Sequence, residues 1–336
     1  MQTLRSYLDE LRVSVGTGWN RFWFTPADPV AVCALRVLVG FAAVYFLISH
    51  AADLVVWFGR DGLLPIDTVH ELVASAPDGS PGFRWSYLFY TDSPSLLWAL
   101  HWLGLIVALA FALGLFTRIT AVLTLVTVLA YVHRAPMITG PFEPILTMLL
   151  YYLCLAPCGA VLSLDRFIAR VRAARVPAVD RPLSARGDAS LAANISVRMM
   201  QVHVTALYLM MGLTKLAGET WWRGDAVWWL AASTESRLLD LTFLHRYPLL
   251  INLWTHCIVA FELLFAVLIW NRLARPLLLG ISLVMWLSLA IVTGQVSFCA
   301  IMLIANLCFV PPWIWGQIYF FFFREGKPGI PASVIA

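Results

Sequence analysis

The sequence predicts an all-α fold, a polytopic transmembrane helical bundle of about eight spans. Three observations lead there. Apolar residues make up 61% of the 336 and charged residues only 12%, too few charges to coat a water-soluble globule of this size. The 15 tryptophans suit a chain that meets two membrane–water interfaces, where indole is favoured. Apolar stretches close to the ~20 residues that a bilayer core requires recur near 30–52, 97–116, 119–137, 144–164, 195–217, 250–270, 275–293 and 297–323. The last is interrupted at Pro311-Pro312, which predicts either a kinked span or a short span followed by an interfacial helix.

This divides the chain into an N-terminal segment (1–22), a transmembrane domain (23–324) and a C-terminal tail (325–336). The N-terminus has no short apolar core followed by a small-residue cleavage site, so it does not read as a signal peptide. At helical spacing Leu4, Leu8, Leu11 and Val15 share one face while Arg5, Asp9 and Arg12 share another. That pattern fits an amphipathic helix lying in the interface, and equally a plain polar leader. The stretch 171–190, with Pro177, Pro182 and Gly187, reads as a polar linker.

The net charge of +4 is small, and neither a Lys/Arg block nor zinc-type Cys/His spacing is present, which argues against nucleic acid and metal as partners. All six cysteines sit in apolar stretches; Cys154 and Cys158, one helical turn apart, read as a redox pair or as small hydrophobes. The basic residues fall in alternate loops: Arg5, Arg12 and Arg21, then Arg118, then Arg166 to Arg186, then Arg272 and Arg275, then Arg324 and Lys327. The opposite loops hold Asp61, Asp67, Glu71, Asp78 and Asp92. By the excess of Lys and Arg on cytoplasmic loops, both termini are expected in the cytoplasm, with the chain integral to a bacterial cytoplasmic membrane.

Ionisable residues at membrane depth are costly and mark candidate sites. They are Arg36, His203, Lys215, His256 and Glu262, with His133, Arg134 and Glu143 near the ends of spans. Lys215 shares a helical face with Tyr208, Met211 and Gly212, at spacings of seven, four and three. Gly212 leaves room for a neighbouring helix or a flat ligand. A lysine desolvated there is suited to general-base chemistry, whereas one that reaches the headgroups simply snorkels. Arg36 follows Asp28 by eight residues and suits a structural ion pair; Glu262 has Arg36, Lys215 and His203 as possible partners. His203 and His256 fit buried, hydrogen-bonded histidines as well as ligands, and they lack metal-binding spacing.

Several of these segments, taken together, resemble the horizontally transferred transmembrane (HTTM) family, which includes the vitamin K-dependent gamma-carboxylase. They are FWFTPADPVAVCALRVLVG with Pro26, Asp28, Arg36 and Gly40; DGLLP at 61–65; HRAPMITG; and YLCLAPCGAVLSLD ending at Asp165. The most specific is YLMMGLTKLAGETWWRGDA, in which Tyr208, Gly212, Lys215, Leu216, Trp221, Gly224 and Ala226 match the family element Y-x-x-x-G-x-x-K-L…W-x-x-G-x-A. The resemblance implies chemistry linked to a reduced quinone of the vitamin K or menaquinol type, with Lys215 as the base that deprotonates the quinol. In the carboxylase, oxygen then turns the quinol into a stronger base, a glutamate γ-proton is removed and CO2 adds. Tyr208, Gly212, Trp221, His256 and Glu262 are the expected cofactor-binding residues. The chain departs from that pattern in three places: Thr139, Gly140 and Glu143 stand where the carboxylase has Asn-His, Trp286 stands where a histidine is expected, and no large soluble C-terminal portion follows.

Two functions follow as expectations. One is a quinone-linked membrane enzyme, a carboxylase-like lyase or oxidoreductase. The other is a non-catalytic membrane module that binds quinone or lipid, or scaffolds a membrane partner protein. A transporter is disfavoured, because no inverted repeat is visible.

Overall fold

A computed structural model describes residues 2–74, 84–91, 93–173, 188–233 and 238–323. The tail at 325–336, the centre of the proposed linker at 174–187, Asp78, Asp92 and the side chains of Leu4 and Leu8 lie outside the described residues. Every element described is helical, and the exception is one isolated antiparallel bridge between Ala27 and Ser190.

Helix α1 (Gln2–Trp23) leads into α2 (Val30–Ala51), followed by the short α3 (Leu54–Phe58) and α4 (Ile66–Ala74). Next come α5 (Pro94–Leu113), α6 (Thr117–Arg134), α7 (Phe142–Leu155) and α8 (Leu164–Ala173). The second half comprises α9 (Leu191–Leu216), the short pair α10 (Glu219–Arg223) and α11 (Ala226–Ala232), then α12 (Pro248–Leu268), α13 (Ala274–Thr293), α14 (Val296–Asn306) and α15 (Pro312–Phe323).

Each expected apolar stretch contains a helix, but the helices are not equivalent. Among the described residues, four are long and apolar enough to cross a membrane: α2, α5, α12 and α13. The segment Val296–Phe309 with Pro312–Ile318 adds a fifth if the pair is counted as one span, although it bends by 108°. The protein is therefore an integral membrane protein by its apolar helices; four or five candidate spans are found among the described residues, which does not confirm the count of about eight. Helix α7 is short at 14 residues because Pro157 follows closely. Helix α6 carries Arg118 and Arg134 at its ends, and α9 carries Asn194, Arg198, Gln201 and His203 along its first half. At the Pro311-Pro312 break, proline removes backbone donors and ends the straight helix, and the two segments meet at 108°, as either a sharply kinked span or a short span followed by an interfacial helix would.

Helix α2 sits centrally, packing on α5, α7, α14 and α15. Its approach to α5 is set by Gly40, where an added Cβ would meet Ala112 Cα at 2.6 Å. A small residue at that point lets the two backbones close, which is how helices associate without a hydrophobic drive in lipid. Helices α6 and α7 extend this half, and α7 joins it to α9; α9 then pairs with α12. The Ala27–Ser190 bridge ties the start of α2 to the start of α9, with amide–carbonyl bonds of 3.1 and 2.9 Å. Asn194 reinforces it by donating Nδ2 to the carbonyls of Phe22 and Trp23, both at 2.9 Å. Large apolar side chains such as Trp102, Ile106, Leu264 and Val267 face outward from the bundle, as a lipid-facing surface requires.

Candidate functional site

Lys215 stands in the last turn of α9, where the chain turns through Gly218 into α10. Glu262 stands on α12, 47 residues away, and the pairing of the two helices brings them together. Lys215 Nζ donates to both carboxylate oxygens, at 2.7 and 2.8 Å. The Glu262 side chain is 1% exposed and that of Lys215 18%, so the carboxylate is sealed while the lysine keeps an edge toward the surface. Neither the free snorkelling lysine nor a pairing of Glu262 with Arg36 or His203 is what the fold adopts. A buried carboxylate is costly unless paired, and this one is paired by both oxygens.

Trp221 covers the ammonium, with Nζ 5.1 Å from the centre of its ring, within cation–π range. Trp222 is turned the other way; it is exposed, and its Nε1–H donates to the carbonyl of Leu216. Gly212, one turn before the lysine, is occupied by the neighbouring helix: a Cβ there would meet Leu263 Cδ2 at 2.7 Å. Of the two readings of this glycine, close helix approach is the one observed.

Tyr208 lies two turns below Lys215 and is fully buried. Its ring stacks on Phe265 at 4.0 Å and meets Phe261 edge-on at 5.9 Å, so it rests on the residues flanking Glu262 along α12. The phenol oxygen accepts from Trp286 Nε1–H at 2.6 Å and from Asn306 Nδ2 at 2.8 Å, joining α9, α13 and α14. Trp286 thus stands as a hydrogen-bond donor in a buried polar network. Asn306 Oδ1 is buried there without a partner.

His256 is not part of the pair. It is exposed, its Nδ1–H donates to the carbonyl of Asn252 at 2.8 Å, and its ring lies against Gly224. Gly224 is left-handed (φ +78), and a Cβ there would also strike Asn252, so glycine is required between α10 and α11. His203 is elsewhere as well, with Nδ1 3.0 Å from the Tyr152 hydroxyl.

The first half of the bundle handles its charges differently. Arg36 is completely buried and donates Nη1 to the carbonyl of Phe111 at 3.2 Å and Nη2 to that of Leu162. It therefore binds the C-terminal end of α5 rather than Asp28. Asp165 caps the first turn of α6, accepting from the amides of Phe116 and Thr117 at 2.8 and 2.9 Å and from the Thr117 hydroxyl at 2.8 Å. Partial burial works to raise this carboxyl, but the amides of Thr117 and Phe116 and the hydroxyl outweigh it and hold it below the ordinary range. Glu143 accepts from the Gly140 amide at 2.8 Å, and His133 bonds the carbonyl of Trp85 at the same distance.

Arg134, a candidate from the sequence at the end of α6, is buried to 0% exposure and donates to the carbonyl of Leu64 at 2.7 Å, while its Nε and Nη1 have no hydrogen-bond partner. Two buried polar residues were not anticipated, His101 and Asn306. His101 has Nδ1 2.8 Å from the Tyr131 hydroxyl, and its Nε2 has no hydrogen-bond partner. A polar residue inside an apolar run, as in VSFCAIMLIANLCF, is the signal that would have found Asn306 and His101.

Among the described residues, no group of three His, Cys, Asp or Glu is placed to hold a metal ion. The six cysteines are free thiols, including Cys154 and Cys158. Comparison of the chain with family models, with characterised proteins and with solved structures found no match.

Proposed function

We propose that this membrane protein binds a lipophilic, quinol-type molecule beside Lys215 and removes a proton from it, as the resemblance to the HTTM family suggests. The observation that supports this is the Lys215–Glu262 pair, an ammonium and a carboxylate in direct contact at 2.7 Å with only the lysine reaching the surface. Transfer of one proton across that contact converts the ion pair into an amine and a carboxylic acid, with no change in the net charge of the pair in the low-dielectric interior. The amine is then the base for an acidic hydroxyl arriving past Trp221, and Glu262 holds the displaced proton. Trp221 offers an aromatic face for a flat ring, and the buried Tyr208–Trp286–Asn306 network holds α9 in place beneath the pair. Oxygen is the oxidant that such a quinol would require. The membrane-embedded surface supplies the route for a lipophilic substrate.

The experiment is quinol turnover by the purified protein under oxygen. Menaquinol oxidation is expected in the wild type, with a loss of at least about 100-fold in Lys215→Ala and a smaller loss in Glu262→Gln, in line with removal of a general base. Turnover unchanged by Lys215→Ala, or absent from the wild type, overturns the reading.

A second reading has its own support: the ion pair is complete and Gly212 is filled by Leu263, as a module that only binds lipid or scaffolds a partner would need. Menaquinol binding without turnover favours it.

A further inference from the structure

A cavity of about 400 Å³ opens at the Lys215 end of the bundle, between α10, α11 and the start of α12, separate from the lysine itself. Arg223, Asp225, Trp228, His245 and Asn252 line it. Its charges are poorly matched within the protein. Asp225 Oδ2 lies 3.6 Å from Arg223 Nε, close enough for attraction but too long for a hydrogen bond, and Asp225 Oδ1 is buried with no donor. Arg223 Nη1 reaches Glu219 at 3.5 Å, also a loose contact, and its side chain is 57% exposed. A carboxylate without a close donor and a guanidinium without a close acceptor therefore stand side by side at the mouth of one cavity.

The remaining walls are specific. His245 Nδ1–H donates to the carbonyl of Thr242 at 2.7 Å, which leaves Nε2 as an acceptor. The Trp228 ring stands near it, with centroids 6.5 Å apart, and offers a π-face to a cation. Asn252 is held by the bond from its Nδ2 to the carbonyl of Arg223 at 2.9 Å. Trp229, Phe243, Tyr247, Leu249 and Leu253, close in sequence to the lining residues, have exposed apolar side chains of the kind that acyl chains would meet.

We propose that this cavity binds a small zwitterion, a primary ammonium with an oxyanion a few atoms away, and that its source is the phosphoethanolamine headgroup of a membrane lipid. The ammonium sits at Asp225, over Trp228 and toward His245 Nε2, supplying the donors that the carboxylate lacks. The phosphate sits at Arg223, which prefers paired acceptors. A choline headgroup has the same charges but no N–H to donate, so it fits less well. This site stands independently of the Lys215 proposal.

The test is native mass spectrometry of the full-length protein released from detergent with equimolar phosphatidylethanolamine and phosphatidylcholine. Wild type is expected to retain phosphatidylethanolamine about ten-fold or more over phosphatidylcholine, the ratio that one lost charge-assisted hydrogen bond produces. Asp225→Asn and Trp228→Leu are expected to abolish the preference, while Asp61→Asn, in a different cavity, keeps it. Circular dichroism and a thermal midpoint establish that each variant is folded, and Asp225→Glu serves as a rescue. A parallel arm adds free O-phosphoethanolamine: stabilisation of wild type but not of Asp225→Asn, without lipid preference, keeps the zwitterion site and assigns it a soluble ligand. Equal retention of both lipids with no effect of the free compound overturns the proposal, as does a lipid preference that survives in folded Asp225→Asn and Trp228→Leu.

Discussion

The two halves of the bundle solve the same problem, a charge inside an apolar protein, in opposite ways. Around α2, α5 and α6, charged side chains bind backbone: Arg36 holds the carbonyls of Phe111 and Leu162, Arg134 the carbonyl of Leu64, and Asp165 the amides of Phe116 and Thr117. Between α9 and α12, charge binds charge, Lys215 to Glu262. A backbone carbonyl cannot take up a proton, so the first arrangement is fixed and its role is to fasten helix ends. A carboxylate can, so the second can change its charge distribution without any helix moving.

The comparison can be broken most sharply at the paired charges. Glu262→Gln strands the Lys215 ammonium and is expected to destabilise the protein by about 3–5 kcal/mol, whereas adding Lys215→Met in the same chain recovers most of that loss. Thermal unfolding of the two single variants and the double variant in detergent measures it. A double variant no more stable than Glu262→Gln would show that the two residues are not coupled.

In the other half, Arg36→Met breaks no bonded ion pair, although Asp165 lies near enough to feel the guanidinium charge. The substitution leaves two buried carbonyls without donors, an expected cost of about 2–3 kcal/mol. No change at Asp28 or Glu262 should rescue it, which distinguishes backbone fastening from an ion pair in the same unfolding assay.

The smallest effect is at the surface end of the same half. Asp165→Asn weakens the α6 cap and is expected to cost about 1 kcal/mol at neutral pH. The folded Asp165 carboxyl lies below its ordinary value, so its contribution is present above the unfolded carboxyl's pKa. It is lost as pH falls through the folded value. Wild type and Asp165→Asn should therefore converge in stability in acid; a gap that widens in acid contradicts the cap.

The sequence discloses the membrane class and the place of the helices, because composition and apolar run length act locally. It singles out Lys215 and Glu262 but leaves Glu262 with three possible partners, since the choice depends on how α9 and α12 are rotated against each other. Gly212 is the legible half of that choice; Leu263, the residue that fills it, is one apolar residue among many in its helix. Arg36 is misread for a related reason. The pattern shows acids it might meet but not the carbonyls freed at the end of α5, which exist only once the helix has terminated. The count of about eight spans is not confirmed, because hydropathy averages over interruptions: Pro157 and Pro311-Pro312 shorten or bend two segments, and polar residues such as Arg118, Arg134, Asn194 and Arg198 dilute α6 and α9.

The contact between Gly212 and Leu263 has a consequence for traffic. It is a clasp one turn below the ammonium, and it closes the seam between α9 and α12 to any molecule arriving from that side. Under the proposed function, a visitor to Lys215 would come over the rim, past Trp221, whose ring lies over the ammonium, and the indole would be the turnstile. Shrinking residue 221 would change which guests are admitted and how fast, whereas enlarging residue 212 would only force the doorframe apart.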